Sequence, residues 1–382
     1  MYEKEEVPSL STFVSGLGLD KAAPSSEYSS NIIVKSLPIL GRLHFVKDRN
    51  GILSLTFTFL YWVYGTWCGL VVVLLPHMRD KQASEPFVAL YVLCSVMCIC
   101  ALFRAATLNP GRVPLISEKD NIDTSDWEMC DKCQRKRPKR AHHCRRCQQC
   151  VLRMDHHCPW INNCVGEENH YAFMQLLFWA FCLSWMAFWS LMLHYWYYPA
   201  CITCDKELFI FEHEKWLNYL LLASAIVMLA FMGFNLIGQN MNLIMSVFYI
   251  KHSIWFKYLL VLMSLAMGLF MGAGLVDQHQ NLNWESFEFK HEAWFTYILT
   301  ALAIFMGIMM GGQLIGQHFS LLLDRTTLEN MKDPHPDIST IRIRSEWSAY
   351  REMCGSGSML FWLFPCRSRK VLRPSYFYSN PV

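Results

Sequence analysis

The sequence predicts an all-α polytopic membrane protein, with six transmembrane helices and a small cysteine-rich cytosolic domain between the second and third. Three observations carry that expectation. The 382 residues are 53% hydrophobic and 14% aromatic but only 17% charged, which is too few charges for a water-exposed surface. The apolar residues gather in blocks: 52–75 and 87–103 contain no charge, and 171–198, 216–238, 254–276 and 294–323 share a single lysine, Lys257. About 20 apolar residues cross a bilayer, so five blocks are long enough and 87–103 lies near the short limit. Finally, seven of the 16 cysteines crowd into 130–164, away from every block.

Taken in order, residues 1–50 are mixed, with scattered Ser and Pro, and read as a mobile cytosolic arm. They hold no long apolar run, so the first span serves as its own anchor instead of a cleavable signal. Spans one and two occupy 51–106. The insert at 107–169 is rich in charge, Cys and His and lacks helical periodicity, so knuckles and short hairpins around metal are expected there. Spans three to six fill 170–323. This half repeats itself: "IFEHEKWLNY" (210–219) matches "EFKHEAWFTY" (288–297), and "LIGQ" recurs at 236–239 and 314–317, both offset by 78 residues. The last two helices therefore read as a duplicate of helices three and four. In the tail, 324–382, "SMLFWLFPCRSRK" (358–370) joins an aromatic run to a basic cluster. It suits an interfacial segment or one packed on the insert.

Orientation follows from Lys and Arg. With the N-terminus in the cytosol and six crossings, 29 basic residues lie inside and 5 outside. Both termini and the cysteine-rich insert then face the cytosol, and topology accounts for the basic residues without a nucleic-acid partner. In that reducing compartment clustered thiols bind metal or react, and do not form disulfides.

The insert reads Cys130-x2-Cys133-x9-His143-Cys144-x2-Cys147-x2-Cys150, then His156, His157, Cys158 and Cys164. This spacing points to structural zinc, which takes four nitrogen or sulfur ligands. With His142 the candidates number eleven, two closed sites use eight, and spacing alone does not say which three remain. Chemistry singles out "Asp155-His156-His157-Cys158", which offers a thiol beside an imidazole and a carboxylate, the set a nucleophile requires.

"DHHCPWINNCVG" (155–166) resembles the signature of the DHHC protein S-acyltransferases, or palmitoyltransferases. "NPG" (109–111) resembles that family's Asp-Pro-Gly, with Asn109 in place of Asp, and "TTLE" (326–329) its Thr-Thr-x-Glu. The resemblance implies one zinc on Cys130, Cys133, His143 and Cys150 and a second on Cys144, Cys147, His157 and Cys164. It implies Cys158 as nucleophile, His156 as base, Asp155 as its orienter and Thr327 bonded to Asp155. Thr326 and Glu329 also satisfy an ordinary helix capping box. The family's usual four spans lead into Thr-Thr-x-Glu. Here an extra hairpin intervenes, which leaves open whether spans three with four or five with six complete the bundle.

The expected function is protein S-acyl transfer from acyl-CoA, such as palmitoyl-CoA, to cysteines of cytosol-facing proteins, in two steps through acyl-Cys158. Burying the chain's about 14 methylenes at ~0.8 kcal/mol each favours keeping it in lipid by ~11 kcal/mol, while CoA stays in water. The thiol therefore belongs at the boundary. Trp160 suits the mouth of an apolar slot there, and the basic residues from Lys132 to Arg146 suit the phosphates. The alternatives are a non-catalytic membrane zinc-knuckle adaptor and, prompted by the repeat, a transporter. The sequence does not distinguish Golgi, endoplasmic reticulum and plasma membrane.

Overall fold

A computed structural model of the chain describes residues 30–38, 41–113, 125–197, 291–333, 343–355 and 362–364. The fourth and fifth expected spans, with the first copy of the repeat, lie outside the described residues. Among the described residues four helices are long and apolar enough to cross a membrane. They are α1 (Arg49–Arg79), α2 (Glu85–Thr107), α3 (His170–Tyr197) and α4 (His291–Leu322). Their outward faces carry Leu53, Phe59, Leu60, Leu93, Val96, Trp185 and Trp189, all exposed, as lipid-facing helices require.

α1 and α2 run a few residues beyond their apolar cores, because lipid leaves backbone groups only helical partners. Within α1, residues Cys68–Leu74 form a π-helical stretch. It brings Gly69 against Tyr91 of α2, whose hydroxyl would lie 2.1 Å from a Cβ at that position. The same hydroxyl donates to the Gly65 carbonyl at 2.8 Å.

α3 packs along both α2 and α4. Among the described residues the bundle thus joins the third expected span to the last; the fourth and fifth spans, on which the two alternatives left open by the sequence turn, lie outside them.

The cysteine-rich segment folds as three antiparallel hairpins of three-residue strands. These are β3–β4 (Glu128–Cys130, Arg135–Arg137), β5–β6 (His142–Cys144, Gln149–Val151) and β7–β8 (His156–Cys158, Asn163–Val165). A fourth hairpin, β1–β2 (Ile32–Leu37, Gly41–Val46), lies in the stretch expected to be a mobile arm. Ile32 and Val46 are buried against Cys144, Cys147, Val151, Met154 and Cys164. The surface that orders this hairpin is made by residues about a hundred or more positions away, so nothing local announces it.

Two asparagines moor the segment to the membrane helices. Asn163 Nδ2 donates to the carbonyls of Ala105 (3.2 Å) and Leu108 (2.8 Å), and Asn169 Nδ2 to those of Ala105 (3.5 Å) and, within the segment, Cys164 (2.8 Å). Carbonyls at the end of α2 that lack intrahelical partners are satisfied in this way. Asn109 Oδ1 accepts the N–H groups of Gly111 and Arg112 at 3.2 and 3.0 Å. An amide oxygen does this as well as a carboxylate.

After α4 come α5 (Thr327–Lys332) and α6 (Glu346–Cys354). The described part of the aromatic tail lies against α3, where Gln175 donates to the carbonyls of Trp362 and Phe364 and Trp179 to that of Leu363.

Candidate active site and metal clusters

Strand alternation sorts the ligands. Side chains in a strand point alternately to opposite faces, so in β7 the outer residues His156 and Cys158 share one face and His157 takes the other. In β5, His143 and Cys144 likewise diverge. Across each hairpin the register pairs His143 with Cys150 and His157 with Cys164. Two donor clusters result. Cys130 and Cys133 at the first hairpin's turn meet His143 and Cys150 of the second, and Cys144 and Cys147 at the second's turn meet His157 and Cys164 of the third.

In each cluster the four donor atoms lie within 4.8 Å of one another. Ligands held about 2.3 Å (sulfur) and 2.0–2.1 Å (nitrogen) from a tetrahedral zinc stand about 3.5–3.8 Å apart. In the second cluster His157 Nδ1 is 3.6 Å from each of three sulfurs, and Cys147 Sγ lies 3.4 Å from Cys164 Sγ. In the first, Cys133 Sγ lies 3.7 Å from Cys150 Sγ and 3.1 Å from His143 Nδ1. Apart from the shorter Cys133–His143 approach, these separations are close to the edges of such a tetrahedron, and both clusters could hold a metal ion of zinc's size. Cys158 belongs to neither.

Cys158 is buried in the core where the hairpins meet the membrane helices, with Leu102, Ile161, Tyr171 and Leu177. Together with His156 and Trp160 it lines an apolar cavity of about 160 Å³ that continues between all four helices to Ser184, Ala187, Leu299 and Ala303. His156 Nδ1 donates to Asp155 Oδ2 at 2.7 Å, and its ring meets Phe173 edge-on with centroids 5.3 Å apart.

Asp155 is 2% exposed and fully satisfied. Thr327 gives its backbone N–H to Oδ1 (2.6 Å) and its hydroxyl to Oδ2 (3.0 Å). Burial works to raise the Asp155 carboxyl, yet hydrogen bonding and charge from His156, with His170 and the Thr327 N–H, hold it well below the usual carboxylate range. Burial works to lower His156, but hydrogen bonds and charge from Asp155 and Cys158 push it up to about 10. With Nδ1 committed to Asp155, the other ring nitrogen is the one available to Cys158.

The capping box exists as well. Thr326 Oγ1 accepts the Glu329 N–H and the Glu329 carboxylate accepts the Thr326 N–H. By sequence Gln317 reads as an interhelical hydrogen-bonding residue; its Oε1 does meet His170 Nε2 at the start of α3 (2.7 Å), and its Nε2 also donates to Asp155 Oδ2 at 2.9 Å. The available signal was a polar residue kept inside a span by both copies of "LIGQ".

A thiol at the water end of a membrane cavity, beside a buried imidazole–carboxylate pair and two metal clusters, defines a class of integral membrane protein suited to handling long apolar chains. The family model described as DHHC palmitoyltransferase matches residues 123–253. Palmitoyltransferase ZDHHC21 of Danio rerio is 43% identical over 176 residues, 45% of this chain and 66% of the relative. The Mus musculus protein of the same name is 39% identical over 173 residues, 45% of this chain and 65% of the relative. These two matches thus span just under two thirds of each relative's length. That of Homo sapiens is 31% identical over 343 residues, covering 89% of this chain and 99% of the relative. The chain belongs to the DHHC palmitoyltransferase family. These matches give no support to a non-catalytic adaptor.

Proposed function

We propose that this chain moves a long-chain acyl group from acyl-CoA to cysteines of cytosol-facing proteins through an acyl-Cys158 intermediate. The observation that carries this reading is the position of Cys158, outside both donor clusters and on the wall of the apolar cavity next to His156. His156, oriented by Asp155, holds the Cys158 proton in a thiolate–imidazolium pair; the thiolate attacks the thioester carbonyl, and His156 then gives that proton to the departing CoA sulfur, which leaves as the thiol. In the second step His156 takes the proton of the acceptor cysteine, whose sulfur displaces Cys158 from the acyl carbon. The cavity keeps the chain out of water throughout, and Trp160 forms part of its wall beside the thioester.

Cys130, Cys133, His143 and Cys150, and Cys144, Cys147, His157 and Cys164, would hold two structural zinc ions. With four protein ligands each, the ions would fix the hairpins and leave the reaction to the side chains. The surplus of basic residues on one side of the spans supports cytosolic termini and a cytosolic insert, and the basic residues between Lys132 and Arg146 supply charge for the CoA phosphates. The repeat at a 78-residue offset supports two further spans within 198–290, making six, with the last two a duplicate of helices three and four.

The test is purified full-length protein supplied with labelled palmitoyl-CoA. Wild type acquires hydroxylamine-labile label, and Cys158→Ser loses it while keeping its zinc. Undiminished label on Cys158→Ser, or loss of one equivalent of zinc, would overturn the reading.

A further inference from the structure

Asp155 is gripped from two sides, and only one belongs to the Thr-Thr-x-Glu segment. The other is Gln317 on α4, which is fully buried. Its Nε2 donates to Asp155 Oδ2 at 2.9 Å and to Thr327 Oγ1 at 3.3 Å. Its Oε1 lies 2.7 Å from His170 Nε2, at the start of α3. An amide has one donating and one accepting end, and an ionised carboxylate only accepts. Nε2 must therefore face Asp155, Oε1 faces His170, and His170 must carry a proton on Nε2. Were position 170 to present an acceptor, the amide would turn and aim its oxygen at the Asp155 carboxylate.

We propose that His170 and Gln317 form an oriented hydrogen-bond relay that fixes the Asp155 carboxylate, and through it the His156 ring, as positioning residues for acyl transfer. This rests on the reading of Cys158, His156 and Asp155 given above. Three elements converge on one carboxylate oxygen: β7 through His156, α4 through Gln317, and the start of α5 through Thr327. Removing the Gln317 donor leaves the oxygen two partners and frees the carboxylate to turn.

By sequence, the relay also sets the last span apart from the other copy of the repeat. Gln239 stands at the position equivalent to Gln317 in the first copy of the repeat, but the residues equivalent to 326–329 there are Phe248, Tyr249, Ile250 and Lys251. Only the last span is followed by Thr-Thr-x-Glu, so only it supplies both donors.

The test uses the full chain in detergent, measuring the maximal rate of Cys158 acylation, the palmitoyl-CoA KM, zinc content and thermal stability. Gln317→Leu should lower the maximal rate by about tenfold or more, as loss of a hydrogen bond to a charged group implies, with KM and zinc unchanged. His170→Gln keeps a donor and should hold the maximal rate, whereas His170→Leu should lower it several-fold at equal stability. A wild-type maximal rate in Gln317→Leu overturns the relay. So does an equal loss in both His170 variants that tracks thermal stability, which would mark the pair as packing alone. Where Gln317→Leu loses zinc and does not fold, the contrast between the two His170 variants decides. Cys158→Ser run in parallel separates the two claims. Retained label there sinks the nucleophile assignment, while its loss beside a fully active Gln317→Leu sinks only the relay.

Discussion

Thr326 and Thr327 are adjacent and chemically identical, yet the structure gives them unrelated tasks. Thr326 Oγ1 caps α5 and touches nothing in the site, whereas Thr327 is fully buried and gives both its N–H and its hydroxyl to Asp155. Thr326→Ala removes an N-cap, which costs about 1 kcal/mol of stability. It should leave the acylation rate near wild type. Thr327→Val keeps volume and shape but deletes one hydrogen bond to a charged group, worth about 1.5–3 kcal/mol. At about 1.36 kcal/mol per decade that is a rate loss of about 10- to 150-fold. The main-chain N–H and Gln317 still hold Asp155, so the lower end is expected. Thr327→Ser restores the hydroxyl and should recover most of the rate. The assay is single-turnover labelling of Cys158 with palmitoyl-CoA, with thermal unfolding on the same samples. Wild-type turnover in Thr327→Val, or a rate loss in Thr326→Ala without a stability loss, refutes this division of labour.

Three further outcomes can be checked. Ile161→Cys rebuilds a Cys-x2-Cys pair with Cys158 beside His156, so added zinc or cadmium should inhibit acylation reversibly; a variant as metal-insensitive as wild type would contradict the turn geometry. The lowered pKa of the Asp324 carboxyl has a sign: burial pushes the pKa up, but Arg153, Arg140 and Arg344 pull it down and prevail. Stability from this cluster is therefore present above the unfolded carboxylate range, about pH 4, and is lost as pH falls through the depressed folded value. Thermal unfolding across that range should show a smaller acid loss in Asp324→Asn than in wild type. Finally, Ala187 lies 14 residues along α3 from Phe173, about 21 Å down the cavity at 1.5 Å per residue. Ala187→Phe should shift acyl-CoA preference from palmitoyl to myristoyl by about tenfold, since two unburied methylenes forfeit about 1.6 kcal/mol; unchanged chain-length competition would place the chain elsewhere.

The membrane helices were legible because lipid enforces a one-dimensional rule, a long run of apolar residues, that a sequence displays directly. The observed α1 to α4 each enclose or closely overlap an expected block. The metal-ligand candidates were legible because only Cys and His serve, and they stand in a short window. Contacts between distant segments were not. The hairpin at Ile32–Val46 is ordered by residues past 140, and Gln317 reaches Asp155 across 162 positions. Gln175, a polar residue inside α3, holds carbonyls of the tail nearly 190 positions on. In each case the residue type was visible and the partner was not, because a polar side chain's partner is set by packing.

The thiol at 158 also has a structural origin that a count of ligands does not reveal. The three hairpins repeat every 14 residues, so Cys130, Cys144 and Cys158 are equivalent, as are Cys133, Cys147 and Ile161. Gln134, Gln148 and Asn162, the next residues in each turn, all have positive φ, at 52°, 53° and 47°. Each cluster takes its two turn cysteines from one hairpin and a mid-strand His and Cys from the next. The third hairpin has no successor, because the chain enters α3 at His170. Its turn keeps the first cysteine, has Ile161 in place of the second, and meets lipid-facing helices where a fourth hairpin would have stood. The proposed nucleophile is thus a knuckle cysteine at the open end of a chain of candidate metal sites. The scaffold that elsewhere delivers sulfur to a metal here delivers it to the mouth of an apolar cavity.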